Sequence, residues 1–158
     1  MCGMNKEERV AVFAGSFDPF TIGHYDIVTR CLPLFDRIVI GVGVNESKHY
    51  MFDTNERVSR ISDVFDSEHR IEVKAYGDLT IDLAQREKAH YIIKGVRSVK
   101  DYEYELQQAD INLRLGGIET LLLPARPELA SISSSMVREL MHFGRDVTPF
   151  LPHGSKTH

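Results

Sequence analysis

The chain has 158 residues, 42% of them hydrophobic, and its 19 basic against 23 acidic residues leave a net charge of −4. That length and composition suit one ordinary core and exclude a disordered chain. The acidic balance excludes a duplex-coating or membrane-surface protein, so neither nucleic acid nor a membrane is an expected partner, and any anionic ligand has to be met by a local cluster of cations.

Two cysteines, Cys2 and Cys31, are too few for a disulfide framework and fit a reducing cytoplasm. The opening "MCGMNKEERV" has no apolar core of a signal peptide, and no run approaches the ~18 apolar residues of a membrane span. Residues 1–8 read as a flexible N-terminus, 9–152 as the folded domain and 153–158 as a flexible tail.

Apolar runs of strand length occur at Val10–Ala14, Ile38–Val44, Ile71–Ala75, Tyr91–Ile93 and Glu119–Leu123, with helical spacing between them. After the first run, Ile27, Val28, Cys31, Leu32 and Phe35 form a helical stripe. After the second, Val58, Ile61, Val64 and Phe65 follow a capping pair, Asp53 and Glu56. Tyr102, Leu106, Ala109 and Leu113 give the fourth helix a stripe of the same kind, expected to be buried. Alternating strands and helices, with strands apolar throughout, predict an α/β fold: one doubly wound, Rossmann-like domain with a five-stranded parallel sheet.

In such a sheet the ligand crevice lies beyond the carboxyl ends of the strands. The segments there are "GSFDPFTIGH" (Gly15–His24), "NESKHY", "GDLT", "KGVRS" and "PARPELASISSS". They place Lys48, Lys94, Arg97 and Arg126 on one rim with Ser16, His24, Thr80 and Ser133–Ser135, an expected phosphate pocket in an acidic chain. Gly15 is expected to let the backbone turn sharply, and Pro19 to stiffen the loop. Gly23 and His24 begin a helix, where free N–H groups favour an anion and an imidazole N–H can donate to a phosphoryl oxygen. His24 is equally suited to a purely capping role, and "SISSS" to a plain cap with Ser133 as N-cap. "GVGVNE" has Glu46 in place of the last glycine of a dinucleotide fingerprint, and no G-x-x-x-x-G-K-S/T occurs. Scattered histidines offer no structural zinc spacing.

"GSFDPFTIGH" resembles the T/HxGH signature of the nucleotidyltransferase superfamily. "KGVRSVKDYEYE" and "SISSSMVREL" are similar to segments of the bacterial phosphopantetheine adenylyltransferase family, and the likeness runs from Arg9 to about Pro152. The resemblance implies transfer of AMP from ATP to 4′-phosphopantetheine, giving 3′-dephospho-coenzyme A and pyrophosphate, with Mg²⁺ and a homohexamer. By the same resemblance His24, Lys48 and Ser16 are catalytic. Ser16, Phe17, His24, Gly95, Val96, Arg97, Glu105, Leu129, Ala130, Ser131, Ile132, Ser133, Ser134 and Ser135 contact ATP. Ser16, Lys48, Thr80 and Lys94 contact the acceptor. Leu129 and Ala14 depart from the family's common Trp and Pro. The alternatives are a related nucleotidyltransferase acting on nicotinamide or nicotinate mononucleotide or on a sugar or glycerol phosphate, or a non-catalytic nucleotide-binding protein. A phosphate monoester is already an anionic nucleophile, so this chemistry needs positioning and charge neutralisation more than a base, and no G-x-S-x-G elbow suggests otherwise.

Overall fold

In a computed structural model describing residues 5–155, five strands form one all-parallel sheet in the order β3-β2-β1-β4-β5. The strands are β1 (Val10–Gly15), β2 (Arg37–Gly43), β3 (Ile71–Tyr76), β4 (Tyr91–Val96) and β5 (Glu119–Pro124). Between and after them lie α1 (Ile22–Cys31), α2 (Thr54–Val64), α3 (Thr80–Arg86), α4 (Val99–Gly116) and α5 (Ser134–His142). The central β1 pairs with β2 from Val10 opposite Arg37 to Gly15 opposite Val42, and with β4 from Ala11 opposite Tyr91. Chain order reverses between β1 and β4, and that switch point is where a parallel sheet opens a crevice.

The expected fold is the observed one, with a small extension: β4 continues through Lys94 and Gly95 to Val96, so these residues are strand-borne rather than loop-borne. Val10–Ala14 and Ile38–Ile40 are buried because helices cover both faces of the sheet. Ile27, Val28 and Cys31 of α1 pack with Phe13, Ile40 and Ile61 on one face, while Leu83 and Ala84 of α3 cover Val12, Val39 and Ile92 on the other. Asp53 caps α2 by accepting from the Glu56 N–H at 2.8 Å. Cys31 is free and buried; Cys2 and residues 156–158 of the tail lie outside the described residues. Among the described residues no helix is long and apolar enough to cross a membrane.

The fourth helix departs from expectation. Tyr102, Leu106 and Leu113 are exposed, as are Val99, Tyr104, Ile111 and Leu115, and none of its residues is buried. Its half-buried residues are Asp101, Glu105, Gln108, Ala109, Asn112 and Gly116, at helical spacing, and Asn112 Nδ2 donates to Thr120 Oγ1 of β5 at 3.4 Å. Periodicity identified an apolar stripe correctly, but could not say that a small, polar face would meet the sheet instead. Gly117, at φ +63°, ends this helix in the left-handed conformation that glycine tolerates.

Candidate active site

Two cavities adjoin at the carboxyl end of the sheet. The larger, about 340 Å³, lies at the β1/β4 switch point between the start of α1 and the start of α5. The smaller, about 240 Å³, lies over β2 and β3, and Gly15, Ser16 and Lys94 line both. One crevice therefore has two compartments, with a hydroxyl and an ammonium at their junction.

His24 lines the larger compartment. Thr21 is the N-cap of α1, and the Thr21 N–H donates to His24 Nδ1 at 2.9 Å while the His24 N–H donates to Thr21 Oγ1 at 3.4 Å. Since Nδ1 accepts from a backbone N–H, the ring proton of the neutral imidazole sits on Nε2. The cap thus fixes the tautomer. Phe17, Phe20 and Phe13 surround the ring with centroids 5.0, 5.4 and 6.2 Å away. Burial among them, and secondarily the Arg97 charge, lowers the His24 pKa from 6.5 to about 4. At neutral pH the site holds an uncharged N–H donor. Capping and ligand donation, alternatives in the sequence, use different nitrogens of one ring.

The motif loop owes its shape to other residues than its glycines. Phe17, at φ +50°, carries the left-handed turn, and its ring lies so close to Gly15 that a Cβ there would come within 3.0 Å of it. Gly15 is therefore needed for close packing, not for the turn. Phe17 lines the larger compartment, and its largely buried side chain packs as a wedge against Phe13 and Phe20. The buried Asp18 carboxylate accepts from the N–H groups of Met51 and Phe52 at 2.8 and 2.9 Å, clamping the loop before α2 onto the motif. Arg138 of α5 donates to Asp18 O at 2.9 Å, and Ser134 Oγ donates to Pro19 O at 2.8 Å.

Of the remaining sequence candidates, Gly95, Arg97, Glu105, Leu129, Ile132, Ser133, Ser134 and Ser135 line the larger compartment, and Lys48 and Thr80 the smaller. Thr80 Oγ1 lies 3.0 Å from Tyr76 Oη. Lys94 Nζ stands 3.8 Å from the buried Glu105 Oε2. Ser133 caps α5 by accepting from the Met136 N–H at 3.1 Å. Ser134, whose proton goes to Pro19 O, is a strut rather than a free donor.

Four of the expected residues stand outside both compartments. Arg126 lines neither compartment, because its Nε donates to Asp26 Oδ1 at 2.9 Å. Val96 lines neither: its carbonyl accepts the Ala125 N–H at the end of β4. Ala130 and Ser131 follow a short 3₁₀ turn, Pro127–Leu129, and lie in a second turn closed by the Ile132 N–H to Leu129 O at 3.0 Å, where Ser131 is exposed. The residues that sequence reasoning passed over are Thr21, Asp18, Tyr50, Tyr76 and Arg138. Thr21 had a usable signal, a threonine three residues ahead of a histidine at a helix start.

A parallel sheet with this strand order and a two-compartment crevice at its switch point, walled by two helix N-termini, defines a nucleotide-binding α/β protein. The chain belongs to the cytidylyltransferase-like family, whose profile matches residues 12–140. Within it, the chain is 55% identical over 148 residues to the phosphopantetheine adenylyltransferase of Phocaeicola vulgatus, covering 94% of this chain and 98% of that one. It is 49% identical to the enzyme of that name from Bacteroides thetaiotaomicron, covering 92% and 97%. Among solved structures, a Vibrio parahaemolyticus protein provisionally named a nicotinate-nucleotide adenylyltransferase superposes with a TM-score of 0.69 at 16% identity, covering 92% of this chain and 94% of that one, which shows the shared fold.

Proposed function

We propose that this enzyme transfers the adenylyl group of ATP to 4′-phosphopantetheine, releasing pyrophosphate and forming 3′-dephospho-coenzyme A. The observation that carries the chemistry is the neutral His24, its Nδ1 held by Thr21 and its Nε2–H left to donate into the larger compartment. The acceptor's phosphate oxygen forms a bond to the α-phosphorus of ATP as the bond from that phosphorus to the bridging oxygen breaks, and pyrophosphate leaves with that oxygen. No proton has to be removed from a phosphate dianion, so the site needs donors and cations rather than a base. The larger compartment, between the starts of α1 and α5, takes the nucleotide; the smaller, with Lys48 and Thr80, takes the acceptor. Ser16 and Lys94, which line both, face the transferred group.

Among the described residues no group of three or more His, Cys, Asp or Glu could hold a metal ion. That donor set suits magnesium entering as the Mg²⁺–ATP complex, carried by the nucleotide's own phosphates. A homohexamer gives the exposed apolar residues of α4 a partner in a second copy of the chain. A cytoplasmic location fits a free buried cysteine and an acceptor made inside cells.

Pyrophosphate release from Mg²⁺–ATP tests the reading. Phosphopantetheine should support it and nicotinamide mononucleotide should not; comparable turnover of both would overturn the acceptor assignment.

A further inference from the structure

Arg57 of α2 is 1% exposed, and no carboxylate among the described residues forms an ion pair with it. Its guanidinium instead binds backbone and ring groups from three chain segments. Nη1 donates to Ser16 O at 2.7 Å and to Gly43 O at 2.9 Å. Nε donates to Phe52 O at 3.2 Å, Nη2 to Thr54 Oγ1 at 3.4 Å, and Cζ stands 3.9 Å from the centroid of the Tyr50 ring. Tyr50 Oη in turn accepts the Asn45 N–H at 3.1 Å. Ser16, Gly43, Asn45 and Tyr50 all line the smaller compartment together with Lys48, whereas Arg57 lines neither compartment.

A buried arginine with no acid beside it is costly unless its donors are filled and its charge is useful. Here four N–H directions are filled by carbonyl and hydroxyl oxygens, and the planar fork reaches the Ser16 and Gly43 carbonyls from Nη1 while Nε holds the Phe52 carbonyl, a spread of donors that the single ammonium of a lysine lacks. The loop after β1 carries Ser16, and the loop from Val44 to Asp53 carries Lys48. Among the described residues, Arg57 is the one side chain that joins both loops to the end of β2 through hydrogen bonds of its own.

We infer that Arg57 is a positioning residue for adenylyl transfer: from beneath the floor of the smaller compartment it sets Ser16 against the Lys48 loop, so that acceptor and α-phosphate meet in line. This rests on the function proposed above. It predicts a particular pattern, because misplacing the acceptor relative to the nucleotide damages transfer without touching the nucleotide's own contacts.

The test compares Arg57→Lys with the unchanged full-length enzyme in kcat, phosphopantetheine KM and ATP Kd, the last by calorimetry. Arg57→Lys should lower kcat per folded molecule by about 10- to 100-fold and raise the phosphopantetheine KM, with ATP Kd within about threefold. Tyr50→Leu, which removes the ring against the guanidinium and the hydroxyl that accepts the Asn45 N–H, should show a weaker form of the same pattern. The double variant should be little worse than Arg57→Lys alone, since coupled residues are not additive. A lowered melting temperature with unchanged kcat would reduce Arg57 to a structural residue and overturn the inference, as would equal losses in ATP binding and turnover. If Arg57→Lys does not fold, wild-type kcat in Tyr50→Leu overturns it. Absence of turnover in the unchanged enzyme would overturn the acceptor assignment alone. Hydrogen exchange without substrate then decides Arg57: residues 43–52 should exchange at least about tenfold faster in Arg57→Lys while α1 stays protected, and unchanged exchange would overturn its positioning role.

Discussion

The Thr21 backbone N–H donates to His24 Nδ1 across 2.9 Å, so one hydrogen bond both closes the start of α1 and puts the proton of the neutral His24 ring on Nε2. Helix capping is usually a stability matter of about 1 kcal/mol. Under the proposed function it also orients the donor assigned to the α-phosphate.

His24→Ala should therefore fail in two measurable ways. Losing a donor to the α-phosphate should lower kcat by about 10² to 10³ with little change in ATP affinity. Losing the cap should also lower the melting temperature by roughly 2–4 °C for a chain of this size. His24→Gln separates the effects, because a glutamine at the third helical position can still reach back to the Thr21 N–H. It should recover most of the melting temperature and little of the kcat. Full recovery of kcat in His24→Gln would remove the imidazole from the chemistry.

The pH dependence of His24 has a definite sign. Its folded pKa, lowered to about 4 by burial and then by Arg97, lies below the unfolded value of 6.5. Between those values the unfolded chain binds a proton that the folded chain refuses. Stability from this group is therefore unchanged above about pH 6.5 and is lost as pH falls from there toward 4. A histidine NMR titration of the free enzyme should show His24 as the Nε2–H tautomer through pH 5.5, when exposed histidines are already charged. A midpoint near 6.5 would contradict the buried, neutral donor.

How much of this was legible in the sequence depends on what burial each residue obeys. Val10–Ala14 and Ile38–Ile40 are apolar because both faces of their strands are covered, and that rule reads directly from the chain. The candidate site was legible as polar residues at strand ends, since topology alone brings them together. Its fine structure was not. Arg57 and Asp18 break the expectation that charged side chains are exposed, and the hydrogen bonds that permit it come from carbonyls and N–H groups about 14 to 41 positions away. Arg126 looked like a free cation because its partner Asp26, 100 positions away, becomes a neighbour only in the fold.

Asp18→Ala should be among the most damaging changes in the motif outside the ligand contacts. It removes a buried carboxylate that satisfies two backbone N–H groups, and charged hydrogen bonds of this kind contribute about 1.5–3 kcal/mol each. Thermal melting should fall by at least about 5 °C. Proteolysis should begin near Met51, the segment the clamp holds; an unchanged melting curve would mean that the clamp carries no strain-bearing role in the loop.

Lys94→Ala should weaken phosphopantetheine far more than ATP, although Lys94 lines both compartments. Its ammonium lies 3.8 Å from Glu105 Oε2, a buried oxygen without a hydrogen-bond donor, so on the nucleotide side its charge is already partly engaged by protein. On the acceptor side no carboxylate competes for it within ion-pair distance among the described residues. Calorimetry with each ligand alone decides the matter, and equal losses would move Lys94 out of the acceptor's reach. Glu105→Gln provides the complement: freeing Lys94 from its carboxylate should tighten binding of an anionic acceptor, whereas a loss for both ligands would show that Glu105 itself contacts the nucleotide.

The last prediction concerns the helix that the sequence stripe placed in the core. Val99, Leu106, Leu113 and Leu115 of α4 are 75%, 52%, 46% and 65% exposed, while Glu105, Gln108 and Asn112 face inward. A single charge at Leu106 or Leu113 cannot disturb a core to which neither belongs, so Leu113→Glu should leave the melting temperature of a dilute monomer nearly unchanged. If α4 instead lies between copies of the chain, burying that carboxylate against apolar side chains is strongly unfavourable. Sedimentation equilibrium should then show the assembly of the unchanged protein reduced to smaller species in Leu113→Glu. ATP binding should survive, because the larger compartment is lined by residues of β1, α1, β4 and α5 and by the half-buried Glu105, and Leu113 is not among its lining residues. An unchanged sedimentation mass in Leu113→Glu would exclude this face from the contact and leave the exposed stripe without its expected partner.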